Sequence, residues 1–300
     1  MFKALEIKPG IWWVGVLEWN ERSIHGFSMP YGSTNNAYLI MDEHITLIDT
    51  CSESYWPELL ERIASVVDPS RIEYLVSNHA EKDHEGALRQ VLAKAPQAKV
   101  IASPQGCKIL KTYLGDAHEL IPMKTGECLK LGQRTLQFIQ TPMVHWPDNM
   151  VTYALEDKLL FSNDAFGQFL ATSERFDDEV DRSLLFSCAK KYFANIIMPF
   201  AKQTAKAVAA VKGLDLDMIA PSHGLIWRSQ IPAILEAYES WCQLKPTSSA
   251  VVTYASMYGS TGRMARAIAE AFASQGISVR LYDLKVSDIS DIMDHVMDAQ

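Results

Sequence analysis

The chain has no CxxC pair, and its five cysteines, Cys51, Cys107, Cys128, Cys188 and Cys242, are odd in number. That excludes a disulfide framework and an iron–sulfur site, and suits reduced thiols in a cytosolic protein. No run approaches the ~20 apolar residues of a membrane span. The stretch Met1-Phe2-Lys3-Ala4-Leu5-Glu6-Ile7-Lys8 carries charge where a signal peptide needs an apolar segment. Positive charge is scarce and scattered: 28 Lys and Arg stand against 36 Asp and Glu, for a net charge of −8 and a pI near 5.5. An electrostatic footprint for nucleic acid is therefore not expected. What remains is a soluble intracellular protein whose 300 residues, 48% of them apolar, suffice for about two domains.

What is present centres on Ser77-Asn78-His79-Ala80-Glu81-Lys82-Asp83-His84-Glu85-Gly86. Four metal-competent groups fall within six positions, directly after the apolar run Ile72–Val76, which reads as a buried strand. Spacings of two and one do not share a helix face, where neighbours lie three or four apart. They suit a loop around a metal pair, with His79 and Glu81 facing one ion and Asp83 and His84 the other. A helical pattern is expected from about Gly86 to Leu92.

Along the chain, residues 11–16, 36–40 and 44–49 read as strands, the last two joined by a hairpin at Met41-Asp42-Glu43, and 56–67 as a helix. Between them, 23–32 reads as a loop, in which His25 is a candidate to line the site from behind the ligands. A strand–helix unit follows at 99–103 and 105–114, then a β-rich half with strands at 135–139, 150–155 and 158–161. Residues 176–212 read as helical and 216–220 as a strand. The same arrangement recurs four times: a strand ends, and the His79–His84 cluster, His145, Asp164 or His223 stands beside it. Loops at one rim of a rigid scaffold are where sites are built. Asp164, arriving alone, is the natural bridge between two ions.

The H-x-E-x-D-H loop, followed by single His, Asp and His after later strands, resembles the metallo-β-lactamase fold, an αββα sandwich. Zinc hydrolases of that fold carry histidine where this chain has Glu81. A carboxylate adds negative charge and a hard oxygen donor, which favours redox-active iron over zinc. With His145-Trp146-Pro147-Asp148 and Pro221-Ser222-His223-Gly224, the motif resembles flavodiiron proteins along the whole chain. The resemblance implies His79, Glu81 and His145 on one iron, Asp83, His84 and His223 on the other, and Asp164 bridging.

Residues 242–249 form a polar linker with a proline, after which strand 250–254, helix 264–274 and strand 278–283 form a βαβ unit. The loop Ser256-Met257-Tyr258-Gly259-Ser260-Thr261 lies between strand and helix, a place suited to cradling a phosphate. It is similar to the FMN phosphate loop of flavodoxins. The reading is thus an α/β chain: a metallo-β-lactamase-like diiron domain over 1–248, then over 249–300 the first part of a doubly wound flavodoxin-like domain. Such a sheet needs about five strands and two are present, so the chain reads as truncated.

The function expected from the resemblance is reduction of O2 to water, or of NO to N2O, at two irons fed by FMN. Implied partners are an external donor such as rubredoxin or a flavin reductase, and a second copy in a head-to-tail dimer or a dimer of dimers. A dinuclear zinc hydrolase is the alternative of the same fold, and a non-enzymatic electron carrier or NO sensor a third reading.

Overall fold

The computed structural model describes residues 2–24 and 26–299. His25 lies outside the described residues. Strand residues alternate between two cores, as a period of two requires. In the seven-stranded first sheet, which runs from Leu5–Lys8 to Leu120–Pro122, Leu39, Leu47 and Leu75 point outward onto helices Trp56–Ala64, Leu88–Lys94 and Pro104–Leu114. Their neighbours Tyr38, Ile40, Ile48 and Val76 point inward. There they meet Phe138, Met150, Leu159 and Phe161 of a five-stranded second sheet. That sheet's outer residues, Val151, Tyr153, Leu160 and Ile219, lie under helices Arg182–Tyr192, Ala201–Lys212 and Ile231–Cys242. Three cores between four layers give the αββα sandwich.

Besides the short antiparallel pair Ser23–Ile24 with Phe27–Ser28 inside the span read as a loop, three local readings change. Residues 11–16 are not one strand: Ile11–Trp13 joins the first sheet and Val16–Glu18 pairs with Ser33–Asn35. The switch falls at Gly15, where a Cβ would sit 2.5 Å from Asn35 O. The helical region begins at Arg182 rather than 176, capped by the Asp181 carboxylate accepting from Leu184 N–H. It is interrupted by a π-helical turn at Phe193–Ile197 before Ala201–Lys212. The third change concerns Lys82–Glu85, which form one helical turn rather than open loop.

The C-terminal residues form two parallel strands, Ser249–Tyr254 and Ser278–Asp283, joined by helix Ser260–Ser274. A last helix, Ile289–Val296, returns to the sandwich, placing Met297 in its outer core with Met293 packed against it. Lys190 bridges to Asp294 and Asp298, and Lys191 to Asp291.

Candidate metal centre

Four strand ends reach one rim. The parallel pairing of Leu159–Asn163 with Met218–Pro221 sets Asn163 against Pro221, so Asp164 and His223 emerge side by side. Strand Tyr74–Ser77 leads into His79, and the loop carrying His145 enters Met150–Ala154 beside Gln140. The chain is pinned behind the ligands: Asp49 accepts from Asn78 N–H at 2.7 Å, and the Asn78 side-chain Oδ1 accepts from Thr152 Oγ1 at 2.7 Å. Gly86 closes the turn that holds Asp83 and His84, where a Cβ would lie 2.4 Å from Lys82 O and 2.5 Å from Glu53 N.

All seven proposed ligands meet there. His79 Nε2 lies 3.1 Å from Glu81 Oε2 and 3.7 Å from Asp164 Oδ2. His145 Nε2 faces the same two oxygens at 3.3 and 3.6 Å. On the other side His84 Nε2 lies 3.1 Å from Asp164 Oδ1, and His223 Nε2 lies 3.3 Å from Asp83 Oδ2 and 3.5 Å from Asp164 Oδ1. Asp164 thus turns one oxygen to each group of three. In both groups the ligand atoms lie within 4.8 Å of one another, as a single ion requires. Asp83 Oδ1, His84 Nε2 and Asp164 Oδ2 are buried without a hydrogen-bond partner, although such groups are otherwise costly to leave unsatisfied. Two histidines, three carboxylates and two more histidines with inward Nε2 atoms fit a pair of cations.

The charge balance agrees. Burial disfavours a charged His79, but the Asp148 and Glu81 carboxylates outweigh it and push the imidazole up to about 9. His84 is driven well above its ordinary value by Asp83 and Asp164 against the opposing effect of burial. Asp164 is held well below its own, burial notwithstanding, by His84, His145 and His79. The carboxylates therefore demand positive charge, which bound cations supply in place of protons.

Two neighbours fix ring orientation. Asp148 Oδ2 lies 3.0 Å from His79 Nδ1 and accepts from Ala80 N–H at 2.7 Å. The Thr34 carbonyl lies 2.6 Å from His223 Nδ1. A proton on Nδ1 leaves Nε2 with its lone pair directed inward. Sequence reasoning gave Asp148 no role, although its place three residues after His145 was a usable signal. It also passed over Tyr192, whose hydroxyl donates to Asp164 Oδ1 at 3.0 Å and which sits in a helix without any motif. Glu18, buried beside this rim, is pushed up to about 7 by burial. A cleft of about 630 Å³, lined by Glu81, Asp83, Lys82, Trp146 and Tyr113, opens onto the site.

The expected phosphate loop lies between strand Ser249–Tyr254 and helix Ser260–Ser274, whose first turn already contains Ser260 and Thr261. Gly259 caps the helix at φ 87°, a left-handed conformation that favours glycine, with open space where a Cβ would be. Met257 and Tyr258 are 79% and 91% exposed. The hydroxyls of Ser256, Ser260 and Thr261 make no hydrogen bond among the described residues, so donors stand ready at a helix N-terminus. That fits the phosphate of FMN.

Two family models match the chain: an ODP family beta lactamase over residues 33–224 and a flavodoxin over 252–299. A nitric oxide reductase of Moorella thermoacetica is 42% identical, covering 100% of this chain and 76% of its own. A rubredoxin-oxygen oxidoreductase of Megalodesulfovibrio gigas is 41% identical over 99% of this chain and 75% of its own. The crystal structure of the flavodiiron protein from Giardia intestinalis, 36% identical, superposes with a TM-score of 0.95 over 99% of this chain and 74% of its own. No helix among the described residues is long and apolar enough to cross a membrane.

Proposed function

Since the chain belongs to the flavodiiron oxidoreductases, we propose that His79, Glu81 and His145 hold one iron, that Asp83, His84 and His223 hold the other, and that Asp164 joins them. The carrying observation is Asp164 itself, with Oδ2 toward the first group and Oδ1 toward the second. When bound there, two ferrous ions would supply electrons and open coordination positions to the gas, and FMN would relay further electrons to them. The reactions are O2 + 4 e⁻ + 4 H⁺ → 2 H2O and 2 NO + 2 e⁻ + 2 H⁺ → N2O + H2O.

The protein's own residues orient and protect. Asp148 and the Thr34 carbonyl keep the Nδ1 protons of His79 and His223 in place. The Tyr192 hydroxyl keeps a proton at Asp164 Oδ1. Phe169, with its ring 5.6 Å from that of His223, excludes water on that side, and Trp146, 5.1 Å from His79, walls the cleft on the other. Ser256, Gly259, Ser260 and Thr261, with the backbone of Met257 and Tyr258, bind the FMN phosphate. The domains divide as 1–248 and 249–300. Electrons come from a rubredoxin-type donor or a flavin reductase in the cytoplasm, and a head-to-tail dimer brings one chain's FMN to the cleft of the other.

Anaerobic reduction of the protein followed by rapid mixing with O2 or NO tests this reading. Reoxidation with stoichiometric loss of the gas is expected; a reduced protein inert to both gases, with hydrolase activity that survives without reductant, contradicts it.

A further inference from the structure

A second, smaller cavity lies against Phe169, whose ring packs on the proposed ligand His223. It has about 50 Å³ and sits between the chain at Pro30-Tyr31 and helix Arg182–Tyr192. Its walls are Pro30, Tyr31, Phe169 and Cys188. Of its polar neighbours Ser28, Ser187 and Lys191, two are engaged: Lys191 Nζ donates to Ser28 Oγ at 2.8 Å and pairs with Asp291 at 2.5 Å, while the Ser28 and Ser290 hydroxyls lie 2.9 Å apart. A small, mostly apolar cavity whose lysine and inner serine are already paired favours an apolar guest over water. The inner wall is the ring of Phe169, which also packs on Tyr192 at 4.8 Å and on His223 at 5.6 Å. The outer rim is exposed at Pro30, Tyr31 and Ser187. One aromatic ring therefore stands between a surface-facing cavity and a proposed iron ligand.

We infer that this cavity is a binding and entry site for the diatomic gas, with Phe169 as its inner gate. The inference rests on the reading above: a flavin lying over the larger cleft at Glu81, Asp83 and Trp146 obstructs that approach, and an uncharged diatomic then needs another way in. The cavity is large enough for one such molecule, and only the Phe169 ring, packed 5.6 Å from His223, lies between it and that proposed ligand. Ser187, exposed at the mouth, and Cys188, buried in the wall, control access without touching any proposed ligand.

Xenon-pressurised crystals of the iron- and FMN-loaded protein test the site directly, because xenon, like the gas, is small and apolar. Xenon density between Phe169 and Cys188 is expected. Filling the wall with Cys188→Leu, or the mouth with Ser187→Trp, should abolish that density. Both should also lower the second-order rate constant for gas binding several-fold and leave turnover at saturating gas unchanged. Ser187→Trp, being at the surface, remains decisive if Cys188→Leu fails to fold. Ordered water in place of xenon in the parent, or unchanged binding rates in Ser187→Trp, overturns the inference. Because xenon binding does not depend on redox chemistry, a protein that holds xenon but reduces neither gas would count against the functional reading alone.

Discussion

His79 shows how single residues divide the work at this centre. Its Nε2 faces Glu81 and Asp164, and its Nδ1 meets Asp148, which also caps Ala80 N–H. Replacing Asp148 by alanine frees the ring and leaves a buried amide unsatisfied. Metal affinity should fall ~10–100-fold, and stability by about 1–3 kcal/mol; metal titration and urea unfolding check these, and Asp148→Asn should restore part of both. The histidines also set a pH dependence. A group whose folded value is raised stabilises the fold fully below its unfolded value, and that contribution is lost as pH rises through the folded one. For His79 the window runs from 6.5 to about 9, and His84 and His223 are raised in the same sense. Chelator-stripped protein should therefore melt at progressively lower temperature across that range. The metal-loaded form should show no such fall, because cations replace the protons; parallel melting curves for the two forms would contradict this. At this scale the sequence was most informative: the close spacing of His79 to His84 marked a candidate metal loop by itself. Tyr192 and the Thr34 carbonyl were hidden, since a backbone oxygen and a helix tyrosine carry no spacing signal.

Among the elements, strand ends decide the site. Apolar runs followed by His79, Asp164 and His223 were legible because buried strands have a composition of their own. The turn Lys82–Glu85 was not, because four residues are too few for helical periodicity. Its geometry instead depends on the close approach at Gly86, an environment visible only in three dimensions. Gly86→Ala should push Lys82 and Glu53 backbone apart, cost about 1–3 kcal/mol by overpacking, and weaken metal binding at Asp83 and His84; differential unfolding and metal content read both. The false merger of residues 11–16 has the same origin: Gly15 lets one apolar run serve two sheets. Likewise the π-turn Phe193–Ile197 keeps the apolar character of the helices around it and leaves no mark in the pattern.

For the molecule as a whole, the αββα order and the following βαβ unit follow from alternation and from the order of elements. The docking of the last helix does not. Ser290 caps against Ser28, Lys190 and Lys191 pair with Asp294, Asp298 and Asp291, and Met297 enters the outer core of the sandwich. Those partners lie 100 or more residues apart in sequence, beyond the reach of any local pattern. A chain ending after residue 248 should keep its full metal content and melt at lower temperature than the 300-residue chain, since Met297 and Met293 leave an apolar surface behind. Loss of metal on that truncation would show that the sandwich cannot hold its centre alone.

Asp164 is the claim on which the rest depends, a carboxylate shared by two redox ions. Anomalous scattering at the iron absorption edge, from crystals grown without air, tests it directly. Two iron peaks per chain, one among His79, Glu81 and His145 and one among Asp83, His84 and His223, with an Asp164 oxygen on each, are predicted. A single peak, or two peaks that scatter at the zinc edge and not at that of iron, would contradict it.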